Sequence, residues 1–99
     1  MLPPFGRLAA LLVSAGSRDA AESYARSLVR AAPQAAKIEV LGPAEAPLAV
    51  IRGRFRFRLL VKAAREADLQ AYLRLWLSEA PKPKGDVRLT IDIDPYSFL

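Results

Sequence analysis

The stretch Arg52-Gly53-Arg54-Phe55-Arg56-Phe57-Arg58-Leu59-Leu60-Val61-Lys62 changes chemistry at almost every step. From Arg54 onward, Phe55, Phe57, Leu59 and Val61 fall on one side of an extended chain. Arg54, Arg56, Arg58, Leu60 and Lys62 fall on the other. A period of two is the mark of a strand with one buried face. The strand Arg54–Lys62 therefore has a core beneath it and a basic surface above it. Some other layer must cover the phenylalanines.

On the N-terminal side of this strand, Gly53 predicts a bulge or bend, and Leu48–Ile51 suits an extended segment. Pro43–Pro47 reads as a loop. Before it, Lys37–Leu41 (KIEVL) alternates as a half-buried strand that stops at Gly42-Pro43. Arg7–Ala15 (RLAALLVSA) is apolar on both faces, as a central strand would be. Gly16-Ser17 breaks that run. Ser17 is a suitable N-cap, with Asp19 and Glu22 in the turn behind it. Ala21, Tyr24, Ala25, Leu28, Val29 and Ala32 then recur at helical spacing until Pro33.

On the C-terminal side, a second helix is expected over Arg65–Ala80. Leu69, Tyr72, Leu73, Trp76, Leu77 and Ala80 form its apolar stripe, and Glu66 and Asp68 lie in its first turn. Pro81–Gly85 (PKPKG) is a stiff basic turn. Val87, Leu89, Ile91 and Ile93 alternate with Arg88, Thr90, Asp92 and Asp94 in a last strand, which Pro95 ends. Strand, helix, strand, repeated once, predicts a two-layer α+β fold of the split-βαβ (ferredoxin-like) kind. It would have a four-stranded sheet with two helices on one face, in a single domain over residues 1–99.

Composition narrows the function. The chain has no cysteine and no histidine, which removes thiolate nucleophiles, disulfides, the usual metal ligands and the commonest general base. There is no phosphate-binding glycine loop of either common pattern. Asp92 and Asp94 are a pair of carboxylates without further ligands beside them, and read as salt-bridge or strand-end residues. No catalytic residue, metal site or cofactor is expected. The longest apolar runs, such as Leu8–Val13, are too short to span a bilayer, and Met-Leu-Pro-Pro is not the start of a signal peptide. The expected location is the cytoplasm, with no membrane partner.

Lys and Arg number 15 against 10 Asp and Glu, for a net charge of +5. Arg52, Arg54, Arg56, Arg58 and Lys62 supply that whole excess within one segment free of acids. Outward side chains two apart on a strand are about 7 Å apart, near the phosphate spacing of a nucleic-acid strand, and arginine forks onto phosphate oxygens. These five are candidate DNA contacts, with Lys82, Lys84 and Arg88 extending the surface. Two other readings stand beside this one. The arginines could guard a solvated edge strand and pair with Asp92 or Asp94, or they could face a protein partner. Phe55 and Phe57 lie opposite the arginines and read as core rather than as a base-stacking platform, as do Tyr72 and Trp76.

Three motifs carry a family resemblance. Pro3-Pro4-Phe5-Gly6-Arg7-Leu8-Ala9 is similar to the segment that follows the helicase core in the primosomal protein N′ (PriA) family of replication-restart helicases. Leu41-Gly42-Pro43-Ala44-Glu45-Ala46-Pro47, followed by Arg52 to Leu60, resembles that family's L-G-P-x-x-A-P and R-G-[RK]-[YFW]-R-[YFW]-R-L-L patterns. Ile91-Asp92-Ile93-Asp94-Pro95 with Ser97-Phe98-Leu99 resembles its C-terminus. The likeness runs in order along the whole chain.

The resemblance implies the C-terminal domain of an ATP-dependent 3′-to-5′ DNA helicase, bacterial and nucleoid-associated. ATP and zinc would belong to parts of the protein outside these residues. The family's C-terminal domain resembles ribosomal protein S ten in fold, binds DNA (single-stranded or forked) and packs on the helicase core. The acidic tail of the single-stranded-DNA-binding protein docks near that junction. On this chain Arg65 and Gln70 would be the polar residues placed for it, with Glu66 and Asp68 beside them. The apolar outer face of the first strand would dock on the core. The alternative is a docking module that never touches DNA. A regulatory small-molecule domain has only fold analogy behind it.

Overall fold

The computed structural model describes residues 6–94. Pro3–Phe5 of the first motif and Pro95–Leu99 of the last lie outside these residues. The element order is β1 (Arg7–Ala15), α1 (Arg18–Ala31), β2 (Ile38–Ile51), β3 (Arg54–Ala63), α2 (Leu69–Glu79) and β4 (Arg88–Ile93). The strands form one antiparallel four-stranded sheet in the order β2-β3-β1-β4. The domain is thus a small α+β unit of two helices and an antiparallel sheet.

β1 occupies an interior position, flanked by β3 and β4. That is why its run is apolar on both faces. Its inward residues Ala9, Leu11, Val13 and Ala15 are fully buried, as are Leu59, Val61 and Ala63 on β3. Ala21, Ala25 and Leu28 of α1, with Leu69, Tyr72, Leu73 and Trp76 of α2, complete a single core. Phe57 belongs to it, and the Arg18 guanidinium lies 5.4 Å from its ring centroid, a cation–π contact at the core's rim. Trp76 and Tyr72 meet edge to face, 5.8 Å between centroids.

Three boundaries differ from expectation. α2 begins at Leu69, not Arg65, because Asp68 is its N-cap: Asp68 Oδ1 accepts from the Ala71 amide at 3.0 Å. Residues 64–67 form a separate turn, closed by Ala67 N donating to the Ala64 carbonyl. The Pro43–Pro47 segment is not a loop. β2 runs continuously to Ile51, with register shifts between Leu41 and Ala44 and between Glu45 and Val50. β2 lies at the sheet's edge, where a proline's missing N–H costs no ladder bond. Finally, Arg52-Gly53 is neither bulge nor bend but a two-residue hairpin turn with positive φ at both positions, 53° and 76°.

Asp94 closes the far end of β1. Its carboxylate accepts from the Leu8 amide at 3.0 Å and from Arg7 Nε at 3.1 Å, and its own amide donates to the Leu8 carbonyl. The Leu8 N–H, then the Arg7 guanidinium, hold the Asp94 carboxyl below the usual aspartate range. A depressed folded-state pKa contributes stability above the unfolded-state value and loses it as pH falls through the folded one. Acidification below about pH 4 is therefore expected to lower the thermal midpoint. Asp94→Asn should flatten that acid limb by less than about 1 kcal/mol, because the pair is half-exposed and screened. Thermal melts of both proteins from neutral to acid pH check this; parallel acid limbs would contradict it.

Candidate nucleic-acid interface

Strand pairing decides which side chains share the sheet's outer face, since directly opposed residues point the same way. Arg56 of β3 faces Ser14 of β1, which faces Arg88 of β4. Arg58 shares the next row with Ala44, Leu12 and Thr90. Then come Leu41, Leu60, Ala10 and Asp92, and last Glu39, Lys62 and Leu8. The face is thus graded, with arginine at one end, apolar residues in the middle and mixed charge at the other end. Arg56 and Arg88 are two strands apart, about 10 Å.

Further basic residues gather at the arginine end. Arg52 is exposed at the hairpin tip beyond Arg54. Lys82 and Lys84 are exposed on the connection between α2 and β4, which also carries Asp86. The Pro81 carbonyl accepts from the Tyr24 hydroxyl at 2.8 Å, and Val87 N donates to the Lys84 carbonyl at 3.1 Å. The first bond ties the start of the connection to α1, and the second closes a turn within it.

Arg54 is held by the end of β1 and by the connection before β4. Its Nη2 donates to the Ser14 carbonyl (2.9 Å), Ser14 Oγ (3.1 Å) and the Asp86 carbonyl (2.6 Å). Nε donates to Ser14 Oγ, and Nη1 pairs with Asp86 Oδ2 at 3.4 Å. The same Asp86 oxygen accepts from the Gly16 amide at 2.8 Å. Only 21% of the Arg54 side chain is exposed. Arg56, Arg58 and Lys62 also make contacts within the chain. Neither Ser14 nor Asp86 stands out in the sequence; the one available signal was that Asp86 is the lone acid in a basic turn.

Arg65 and Gln70 lie toward the opposite end of the sheet. Arg65 sits in the turn after β3, packed against Gly6. Gln70 lines a shallow apolar groove between α2 and β4 with Leu73, Arg74, Leu77, Ile91 and Ile93, and Arg65 is not part of that lining. The acids beside Arg65 have partners of their own, Glu66 with Lys37 at 3.4 Å and Asp68 at the helix cap. Asp94 pairs with Arg7 and not with the arginine strand. Among the described residues no cluster of acidic side chains could hold a metal ion.

Fold and surface together define a small basic α+β domain with one sheet face covered by helices. The chain belongs to the family described as primosomal protein N C-terminal domain, whose model matches residues 1–96. It is 38% identical over 97 residues to the replication restart protein PriA of Rickettsia felis, and 39% over 97 residues to that of Rickettsia conorii. Each match covers 98% of this chain and 15% of the relative. The probable replication restart protein PriA of Deinococcus radiodurans is 35% identical over 97 residues, which is 96% of this chain and 10% of that protein. The chain thus spans about a seventh of the Rickettsia relatives it matches. The catalytic helicase part of the family is not among these 99 residues. No helix is long and apolar enough to cross a membrane among the described residues.

Proposed function

We propose that this domain is the DNA-binding accessory module of a replication-restart helicase, working by phosphate contacts rather than base readout. The observation that carries the reading is the arginine end of the sheet face turned away from the helices. Arg56, Arg58 and Arg88 share it, with Arg52, Lys82 and Lys84 on the adjoining turns. Lys62 lies farther along the same face, opposite Glu39. The strand order β2-β3-β1-β4, with each helix linking two strands that flank a third, supports the split-βαβ reading of the fold. In the cytoplasm, at a stalled fork, such a module would hold DNA while the helicase core does ATP-driven work.

A second reading has an observation of its own. Leu41, Leu60, Ala10 and Leu12 form an apolar band beside the arginines, in which Leu41 is 36% exposed, Leu12 and Leu60 are half-buried and Ala10 is buried. Such a band suits docking on the helicase core. The tail of the single-stranded-DNA-binding protein is the further candidate, at Arg65 and Gln70.

Fluorescence anisotropy with labelled single-stranded, duplex and forked DNA at two salt concentrations tests the first reading. Binding is expected to be weak and salt-sensitive, and Arg56, Arg58 and Arg88 changed together to Gln should lower the salt slope by about two to three. If the folded triple variant binds as wild type does, the surface belongs to a protein partner.

A further inference from the structure

We infer that Arg54 is a positioning residue of this surface: it clamps the Lys82–Lys84 connection to the end of the sheet through Asp86 and does not itself contact DNA. The inference rests on the DNA-binding reading above and assigns one arginine of the ladder a different task.

A guanidinium offers five N–H donors in a fixed fork. In Arg54, Nε and Nη2 are directed at Ser14 and at the Asp86 carbonyl, and Nη1 at the Asp86 carboxylate. Grasping a phosphate with two parallel bonds would require giving up several of these, in a side chain only 21% exposed. The contacts instead join three separate pieces of chain. β3 contributes Arg54, the end of β1 contributes Ser14 and Gly16, and the connection before β4 contributes Asp86. Gly16 is part of the fit, because a Cβ there would lie 2.8 Å from Asp86 Oδ2. Asp86 is two residues from Lys84, so fixing Asp86 fixes where the lysine connection stands relative to Arg56, whereas Arg88 is already held by its pairing with Ser14 in the sheet.

The sign of one substitution separates positioning from plain electrostatics. Asp86→Asn removes an acid from a basic surface, and simple charge counting says DNA binds more tightly. If Asp86 works as the clamp's anchor, the lysine connection loosens and binding weakens, by about three- to tenfold at low salt. The exposed pair Lys82/Lys84→Gln supplies the second background. There the loosened connection has no charges left to misplace, so adding Asp86→Asn should cause no further loss. DNA titrations of the 99-residue chain, well below each variant's melting temperature, read all four proteins. Weaker binding in the wild-type background alone supports the clamp. Tighter or unchanged binding overturns it, and so does an equal loss in both backgrounds. If the Arg56, Arg58 and Arg88 variant keeps full DNA binding, the functional reading fails first and this inference falls with it.

Discussion

Trp76→Ala is expected to lower the free energy of unfolding by about 3–5 kcal/mol, against a total of about 5–15 kcal/mol for a domain of this size. Trp76 is fully buried and is the largest side chain in the core. It also carries a polar link that truncation would break. The Ala32 amide, at the C-cap of α1, turns to the Val29 carbonyl, and the indole Nε1 donates to the Leu28 carbonyl at 2.9 Å. One of the helix's last, otherwise orphaned carbonyls is thus satisfied from α2. Alanine leaves a cavity and an unpaired buried acceptor at once. Trp76→Phe keeps most of the volume and loses the bond, so it should cost roughly 1–3 kcal/mol. Denaturant unfolding of both variants checks the pair. A loss below about 1 kcal/mol for the alanine variant would mean that the two helices are not joined through this ring.

Much of this architecture is legible in short-range pattern. α1 is bounded by Ser17 and Pro33 in the sequence, and the structure places its cap at Ser17, whose Oγ accepts from the Ala20 amide. The alternation of β3 places Phe57, Leu59 and Val61 inward. α2 starts four residues later than its sequence pattern predicts, for an identifiable reason. Glu66 and Asp68 look like first-turn acids favoured by the helix dipole, but Asp68 stands outside the helix as its cap. Gly42-Pro43 and Pro47 punctuate β2 and read from the sequence as its end. Those residues do end a central strand, but an edge strand accommodates them with shifts of register. Which strand lies at the edge is a property of the sheet, not of any window of sequence.

The candidate site divides in the same way. That five basic residues crowd one segment is plain from the sequence. That Arg54 is spoken for is not, because its partners Ser14 and Asp86 are 40 and 32 residues away. The convergence of Arg88 with Arg56 depends on the register of β1 against both neighbours. Resemblance to a family adds the helicase context, but it does not show that Arg54 is held by Ser14 and Asp86; the hydrogen bonds do.

Gly42→Ala is expected to destabilise the domain by about 3–5 kcal/mol, combining backbone strain with a steric clash. Gly42 has φ +112°, a region that L-residues rarely adopt. A Cβ there would also lie 2.8 Å from the Arg58 carbonyl oxygen, which is backbone of β3, and 3.3 Å from Leu59 Cδ2. Neither neighbour can give way easily, since β3 is pinned between β1 and β2 and Leu59 is fully buried. At about 4–8 °C per kcal/mol for a domain this small, the midpoint should fall by more than about 12 °C. Gly53→Asn is the control. It also has positive φ, but nothing lies within 4 Å of a Cβ there and asparagine suits a hairpin turn, so its melting temperature should hold within about 5 °C. A small shift for Gly42→Ala would show that β2 can slide at its register break. A large one would mean that the glycine sets how closely the edge strand approaches Arg58, and so where the arginine strand sits in the sheet.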